Sequence, residues 1–206
     1  MNSNRDRRTS VALTLELLFQ NLFSYTTDGI VFTGLALWLG ATTFQIGLLG
    51  SIGSIGFLAI LSAPWLVRAA GGSRRTVLMA VYSVRLCSRT GILLLLLLNP
   101  THAVWWLAIL AGVSHFAGSL YAPLSRAWIS SAIPSNEHNR YLSNRLSVAM
   151  LGAVVAPPLA GFFIDTFPAP TGFALAFGTG LAFGTIALWL VSIAHDPAPE
   201  QNHPAP

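Results

Sequence analysis

Residues 13–39 read LTLELLFQNLFSYTTDGIVFTGLALWL, an apolar stretch that contains Glu16 and Asp28 and is long enough to cross a bilayer as a helix. A helix rises about 1.5 Å per residue, so about 20 residues span the roughly 30 Å hydrocarbon core. Five more stretches of this kind follow along the chain. The six predicted spans are residues 13–39, 46–67, 76–98, 103–124, 146–165 and 172–191.

The composition is typical of an all-α, polytopic membrane protein. Of the 206 residues, 53% are hydrophobic and 9% are charged, whereas charged residues make up about 25% of a soluble domain. We find no phosphate-binding loop, no metal-ligand spacing and no nucleophile–base pair at helical spacing. We therefore expect no enzyme activity, no cofactor and no bound metal.

The arginines outside the spans fall on alternate connections. Connections 40–45, 99–102 and 166–171 have none, and positively charged loops stay in the cytoplasm. We therefore expect both termini in the cytoplasm of a bacterial-type inner membrane. The formal net charge of +4 then describes one face of the lipid bilayer and not a nucleic-acid footprint. The nine arginines are Arg5, Arg7 and Arg8, then Arg68, Arg74 and Arg75, then Arg126, Arg140 and Arg145.

This topology divides the chain into three parts. Residues 1–12 are predicted to be a cytoplasmic N-terminal tail, and residues 13–194 to be the six-helix bundle. Residues 195–206 are rich in proline and polar side chains, which predicts a disordered cytoplasmic tail.

Polar residues form a stripe along the first span, because they recur at every fourth position. Such side chains are costly in lipid, so the stripe requires a water-accessible cavity open to the cytoplasm or a tight helix contact. Polar residues of the fourth span share a face in the same way, and Arg126 could meet Glu16. The predicted cavity residues are Glu16, Gln20, Asn21, Ser24 and Asp28 of the first span, and His115, Ser119 and Arg126 of the fourth.

Four ionisable residues deep in the spans have two interpretations each. Asp28 is either a protonatable or cation-binding carboxylate in a central cavity, or a carboxylate satisfied by Arg85 or Arg89. These two arginines are interpreted as structural anchors, paired with Asp28 or backbone carbonyls, with substrate binding as the alternative. His115 either shuttles protons or is a hydrogen-bonded packing residue.

The spans repeat in character. The second and fifth are rich in small residues, which let helices approach closely, and they contain helix-breaking prolines at Pro64 and Pro157–Pro158. Spans one to three are polar-striped, small-residue-rich and apolar in turn, and spans four to six repeat that order. This order predicts a 3+3 inverted repeat.

Two local motifs point to one family. Residues 66–75 contain Arg68, Gly71, Gly72, Arg74 and Arg75 in a short cytoplasmic loop. The loop resembles the connection between the second and third helices of major facilitator superfamily transporters, without its acidic residue.

The fifth span contains Gly152, Ala156, Pro157 and Gly161, and is similar to the antiporter motif of that superfamily, with alanine twice in place of glycine. The resemblance covers all six spans and implies the N-terminal six-helix half of such a transporter, because members have about twelve spans in two halves.

The resemblance implies secondary active transport of a small molecule, exchanged or co-transported with protons. A half-length chain would then pair with a second copy or a complementary half. The alternatives are a non-transporting fragment, an accessory membrane subunit, or a pore without alternating access.

The arginine asymmetry predicts the sidedness of four loop positions. In a Cys87→Ser background, Arg74→Cys and Asn139→Cys should react with a membrane-impermeant thiol reagent from the cytoplasmic side alone. Pro100→Cys and Pro168→Cys should react from the opposite side. Labelling of Pro100→Cys from the cytoplasm alone would contradict the six-span topology.

Overall fold

The structure is a computed structural model that describes residues 3–71, 73–98, 100–132 and 138–194. The predicted tail at 195–206 and Gly72 of the loop motif lie outside these residues. The described residues form eight α-helices, with a 3₁₀ segment at Phe57–Ser62 between the third and the fourth. The helices are α1 Ser3–Thr27, α2 Ile30–Trp38, α3 Thr43–Gly56, α4 Ala63–Ala69, α5 Arg74–Leu98, α6 Ala103–Ala132, α7 His138–Thr166 and α8 Thr171–Ile193.

Five helical segments in the described part of the chain are long and apolar enough to cross a membrane, which confirms an all-α, multi-pass protein. They are Thr43–Ala69, Arg74–Leu98, Ala103–Ile129, Asn139–Thr166 and Thr171–Ile193. The stretch 13–39 is not among them, and the structure does not form it as the single helix that the sequence predicts. It is divided between α1, which begins at Ser3 within the predicted tail, and α2.

The division of this stretch falls at Asp28–Gly29. Gly29 adopts φ +62°, a left-handed conformation that L side chains rarely adopt and that glycine tolerates. The carbonyl oxygen of Thr27 accepts a hydrogen bond from Arg89 Nη1 at 2.8 Å, which satisfies an acceptor that the interrupted helix leaves open. A glycine and a buried guanidinium therefore stabilise the break.

The helices enclose two apolar cores. The first core is formed around Leu13, Tyr82 and Trp128, and the second core around Leu35 and Phe177. Each core takes residues from the α1–α2 stretch, α5, α6 and α8. Along each of these stretches, a gap in the sequence separates the residues of the two cores. Polar residues of α5 and α6, and of the junction between α1 and α2, lie in that gap and are buried except for the half-buried Asp28. The polar residues of this level are Asp28, Arg85, Arg89 and Ser114.

The two predicted helix-breaking sites, at Pro64 and at Pro157–Pro158, differ in their position within a helix. Pro64 lies in the first turn of α4, after the 3₁₀ segment, where a missing N–H group costs little. Pro157 and Pro158 lie inside α7, which continues as a helix on both sides of them.

The helix-five motif contains one close contact and one open position. A Cβ atom on Gly152 would lie 2.9 Å from the carbonyl oxygen of Leu18, so glycine is needed where α7 crosses α1. Asn21 strengthens the same crossing by donating its Nδ2 to the carbonyl of Ala149 at 2.8 Å. A Cβ atom on Gly161 would meet no atom within 4 Å.

Gly152→Ala should therefore destabilise the bundle by about 1–3 kcal/mol, because the methyl group forces two backbones apart. Gly161→Ala, in the same helix and motif, is the matched control and should not destabilise it. Thermal unfolding of the purified chain in detergent measures both changes. Equal midpoints for the two variants would contradict the close crossing of α1 and α7.

Candidate functional site

A charged cluster occupies the level between the two cores. The carboxylate of Asp28 accepts a hydrogen bond from Arg89 Nη2, and its second oxygen lies 3.4 Å from Arg85 Nη2. His115 Nε2 is 3.8 Å from Asp28 Oδ1. One carboxylate at the break between α1 and α2 thus meets two guanidinium groups of α5 and one imidazole of α6.

Further polar contacts fix both arginines. Arg89 Nε donates to Ser114 Oγ at 2.8 Å, and Arg85 Nη2 donates to Ser24 Oγ at 2.9 Å. The ring centroid of Phe23 lies 4.9 Å from the guanidinium carbon of Arg85. Aromatic faces attract such cations. The two guanidinium groups are therefore positioned by serine hydroxyls and an aromatic ring as well as by the carboxylate of Asp28.

The cluster has an excess of positive charge. Arg85 and Arg89 contribute two positive charges and Asp28 one negative charge, whatever the protonation of His115. The Arg89 side chain is fully buried, whereas 23% of the Asp28 side chain is exposed. The carboxylate of Asp28 therefore separates the buried arginines from the open space next to the helix break.

That space is a cavity of about 280 Å³. It lies between α2, α3 and α6, next to the helix break. Asp28 and His115 supply its ionisable groups, and most of the remaining lining is apolar or glycine. Gly29, Phe32, Leu49 and Gly53 also line it.

Glycines of the second predicted span bring α3 close to His115. A Cβ atom on Gly56 would lie 3.2 Å from the backbone carbon of His115, and one on Gly53 would lie 3.9 Å from its Nδ1. A methyl group at Gly56 would therefore be tighter than ordinary van der Waals contact. These two positions set the distance between α3 and α6 beside the cavity.

The polar stripe of the first predicted span meets a cavity at one residue and tight helix contacts at another. Asp28 lines the cavity, whereas Glu16 is fully buried in tight helix contacts. A single bundle therefore does not expose Glu16 to lipid. Of the eight predicted cavity residues, Asp28 and His115 line this cavity and the other six do not; Gln20 and Ser119 are half-buried and Arg126 is exposed.

Glu16 belongs to a second polar cluster. Its carboxylate accepts hydrogen bonds from Arg145 Nη2 at 2.8 Å and from the Tyr121 hydroxyl. Arg145 Nε also donates to the carbonyl of Leu13 at 3.0 Å. The predicted pairing of Glu16 with Arg126 is wrong, because Arg145 of α7 takes that place. In the sequence, Arg145 lies just outside the fifth predicted span, and the need of a buried carboxylate for a cation fits Arg126 and Arg145 equally well.

Two of the loop arginines donate to backbone carbonyls of other helices. Arg74 Nη1 donates to the carbonyl of Ala127 within α6 at 2.9 Å, and Arg75 donates to the carbonyl of Ser192 in the last turn of α8. Cations near the last carbonyls of a helix are favourable, as at Ser192. Gly71 has φ +66°, and Arg68 lies in the last turn of α4. Within the described ranges, no group of three His, Cys, Asp or Glu side chains is arranged to hold a metal ion.

Arg145 should be required to compensate the buried charge of Glu16. Arg145→Met leaves a buried, uncompensated carboxylate and should cost about 3–5 kcal/mol of stability. The double variant Glu16→Gln with Arg145→Met should recover a large part of that loss. Arg140→Met changes an exposed arginine of the same helix and is the control.

Thermal unfolding in detergent distinguishes these variants. If Arg145→Met and Arg140→Met unfold at the same temperature, Arg145 does not stabilise Glu16.

The proteins that this chain resembles are membrane transporters, as its long apolar helices lead us to expect. Over 100 residues, the chain is 37% identical to a protein named gentisate transporter from Corynebacterium glutamicum, and this match covers 48% of the chain and 22% of that protein. A family model described as the Major Facilitator Superfamily matches residues 17–206. The chain therefore belongs to the Major Facilitator Superfamily, a family of membrane transporters and not of enzymes.

Proposed function

We propose that this chain forms one six-helix half of a transporter and that a small molecule binds in the cavity at the helix break. The observation that supports this most is Asp28, an ionisable residue within a membrane-spanning stretch that faces a cavity. Interrupted membrane helices commonly form substrate and ion sites in transporters. Ionisable residues inside a membrane are functional candidates by default.

The six-helix arrangement is part of this proposal. In it, α1 and α2 together form the first span, and α3 with α4 forms the second. The inverted 3+3 repeat is supported by the polar first and fourth spans, which both contribute to the charged cluster through Asp28, Ser114 and His115. Both termini lie in the cytoplasm of an inner membrane, as the arginine distribution predicts.

A second six-helix bundle completes the transporter in this proposal. It is either another copy of this chain or a complementary half, and alternating access arises as the two bundles rock about the site between them. Glu16 and Asp28 are already paired within one bundle. The association is therefore not driven by the need to hide these two charges from lipid.

Asp28 is the proposed coupling residue, with His115 as its neighbour on the cavity. Protonation of the carboxylate would weaken its bonds to Arg85 and Arg89, because a neutral acid accepts weaker hydrogen bonds from a guanidinium. Proton binding would thereby change the contacts among the first span, α5 and α6. A non-transporting fragment or accessory subunit is the alternative, and it would show no uptake.

Asp28→Asn should abolish proton-driven uptake while the protein remains inserted and folded. Gentisate, the substrate in the relative's name, is the first probe to use. Proteoliposomes containing the full chain, with an imposed pH gradient, measure this uptake, and we expect a loss of roughly tenfold or more. Asp165→Asn changes an exposed carboxylate at the end of α7 and should leave uptake unchanged.

Equal proton coupling in the wild type and Asp28→Asn would remove Asp28 from the mechanism. Absence of uptake in the wild type, with a panel of small molecules, would favour the non-transporting alternative.

A further inference from the structure

We infer that the cavity binds a small organic anion, and that Asp28 competes with this anion for Arg85 and Arg89. The inference rests on the proposed function, because it takes the cavity to be the substrate site. It adds the chemical class of the substrate and the means by which binding is linked to Asp28.

The charges of the cluster favour an anion over a cation. The groups that face Asp28 are Arg85 and Arg89 from α5 and His115 from α6. A cation entering the cavity would meet a carboxylate that is already paired with two guanidinium groups, and would be repelled by both. An anion would be attracted by both arginines and opposed by Asp28 alone.

The start of α2 adds a second source of positive potential. Gly29 occupies the N-cap position, and no side chain there accepts a hydrogen bond from the first turn. The first N–H groups of a helix lack intrahelical acceptors and favour anions. Gly29, Phe32 and Thr33 line the cavity, so this turn borders the same space as Asp28.

The apolar lining and the size of the cavity restrict the anion. The volume of about 280 Å³ lies just below the usual range for ligand pockets, roughly 300–1,000 Å³. Phe32, Ala36 and Leu49 supply apolar surface, whereas ionisable groups lie on one side. The space therefore suits a carboxylate attached to a single ring or a short carbon skeleton better than a hydrophilic anion such as phosphate.

The position of Asp28 explains how the anion gains its partners. The carboxylate lines the cavity and the fully buried Arg89 lies behind it, so the anion reaches the arginines when Asp28 withdraws. One proton bound by Asp28 balances the negative charge that enters with the anion. The net charge of the cluster is then the same before and after binding, and the proton and the anion bind together.

The test uses the purified full chain in detergent, with radiolabelled benzoate as the probe and benzylamine as the cation of matching shape. The wild type should bind benzoate and not benzylamine. Asp28→Asn removes the competing charge and should bind benzoate roughly tenfold tighter or more at neutral pH. The wild type should bind more tightly as the pH falls, whereas Asp28→Asn should lose most of that dependence.

Three further variants complete the design. Arg85→Gln keeps a polar side chain and should weaken benzoate binding roughly tenfold. Asp165→Asn is the control for loss of an acidic residue and should bind as the wild type does. Unfolding midpoints and gel filtration show that each variant is folded, and Ser24→Ala tests the hydrogen bond to Arg85 if Arg85→Gln does not fold.

The results separate this inference from the proposed function. Tighter benzoate binding by Asp28→Asn supports the inference that the anion replaces Asp28 as the partner of Arg85 and Arg89. Weaker binding by a folded Asp28→Asn, a preference for benzylamine, or absence of benzoate binding in both proteins would overturn the inference. Each of these outcomes leaves the uptake experiment as the separate test of transport.

Discussion

A single carboxylate shared by two arginines, at a break in the first predicted span, is the interaction on which the arrangement of this bundle depends. A charged group without any partner in this position would cost several kcal/mol. Asp28 is paired with both arginines, and Arg85 and Arg89 also donate to Ser24, Ser114 and the Thr27 carbonyl, contacts that do not depend on the carboxylate. The break places Asp28 beside α5, and its open carbonyl at Thr27 is satisfied by Arg89. The same contacts join the first span, α5 and α6 between two apolar cores.

This constraint links packing to function. The two cores hold the helices above and below the charged level, while Gly53 and Gly56 let α3 approach His115 closely. The result is a cavity with a largely apolar or glycine lining beside Asp28, the carboxylate that changes partners in the proposed exchange. The second cluster, formed by Glu16, Arg145 and Tyr121, has no such freedom, because its carboxylate is fully buried away from the cavity. Two similar carboxylates in one stretch therefore have different surroundings: Glu16 is enclosed by helix contacts, and Asp28 faces the cavity.

Much of this could be predicted from the sequence, because depth in the membrane follows from position along an apolar stretch. Asp28, Arg85, Arg89 and His115 lie at similar depth, and the structure brings them together. The break at Gly29 could not be predicted, since glycine is common within membrane helices and only its contacts decide its conformation. The partner of Glu16 could not be predicted from the sequence either. Arg126 and Arg145 lie at similar depth, and the choice between them depends on how α6 and α7 are rotated.

The number of protons taken up when benzoate binds tests the exchange at Asp28 most directly. It can be measured with a pH indicator in weakly buffered detergent solution of the purified full chain. If Asp28 withdraws from Arg85 and Arg89 as the anion arrives, the wild type takes up about one proton per benzoate bound and Asp28→Asn takes up almost none. Benzoate binding without proton uptake, or equal uptake by both proteins, would contradict the role of Asp28 as the internal competitor of the substrate.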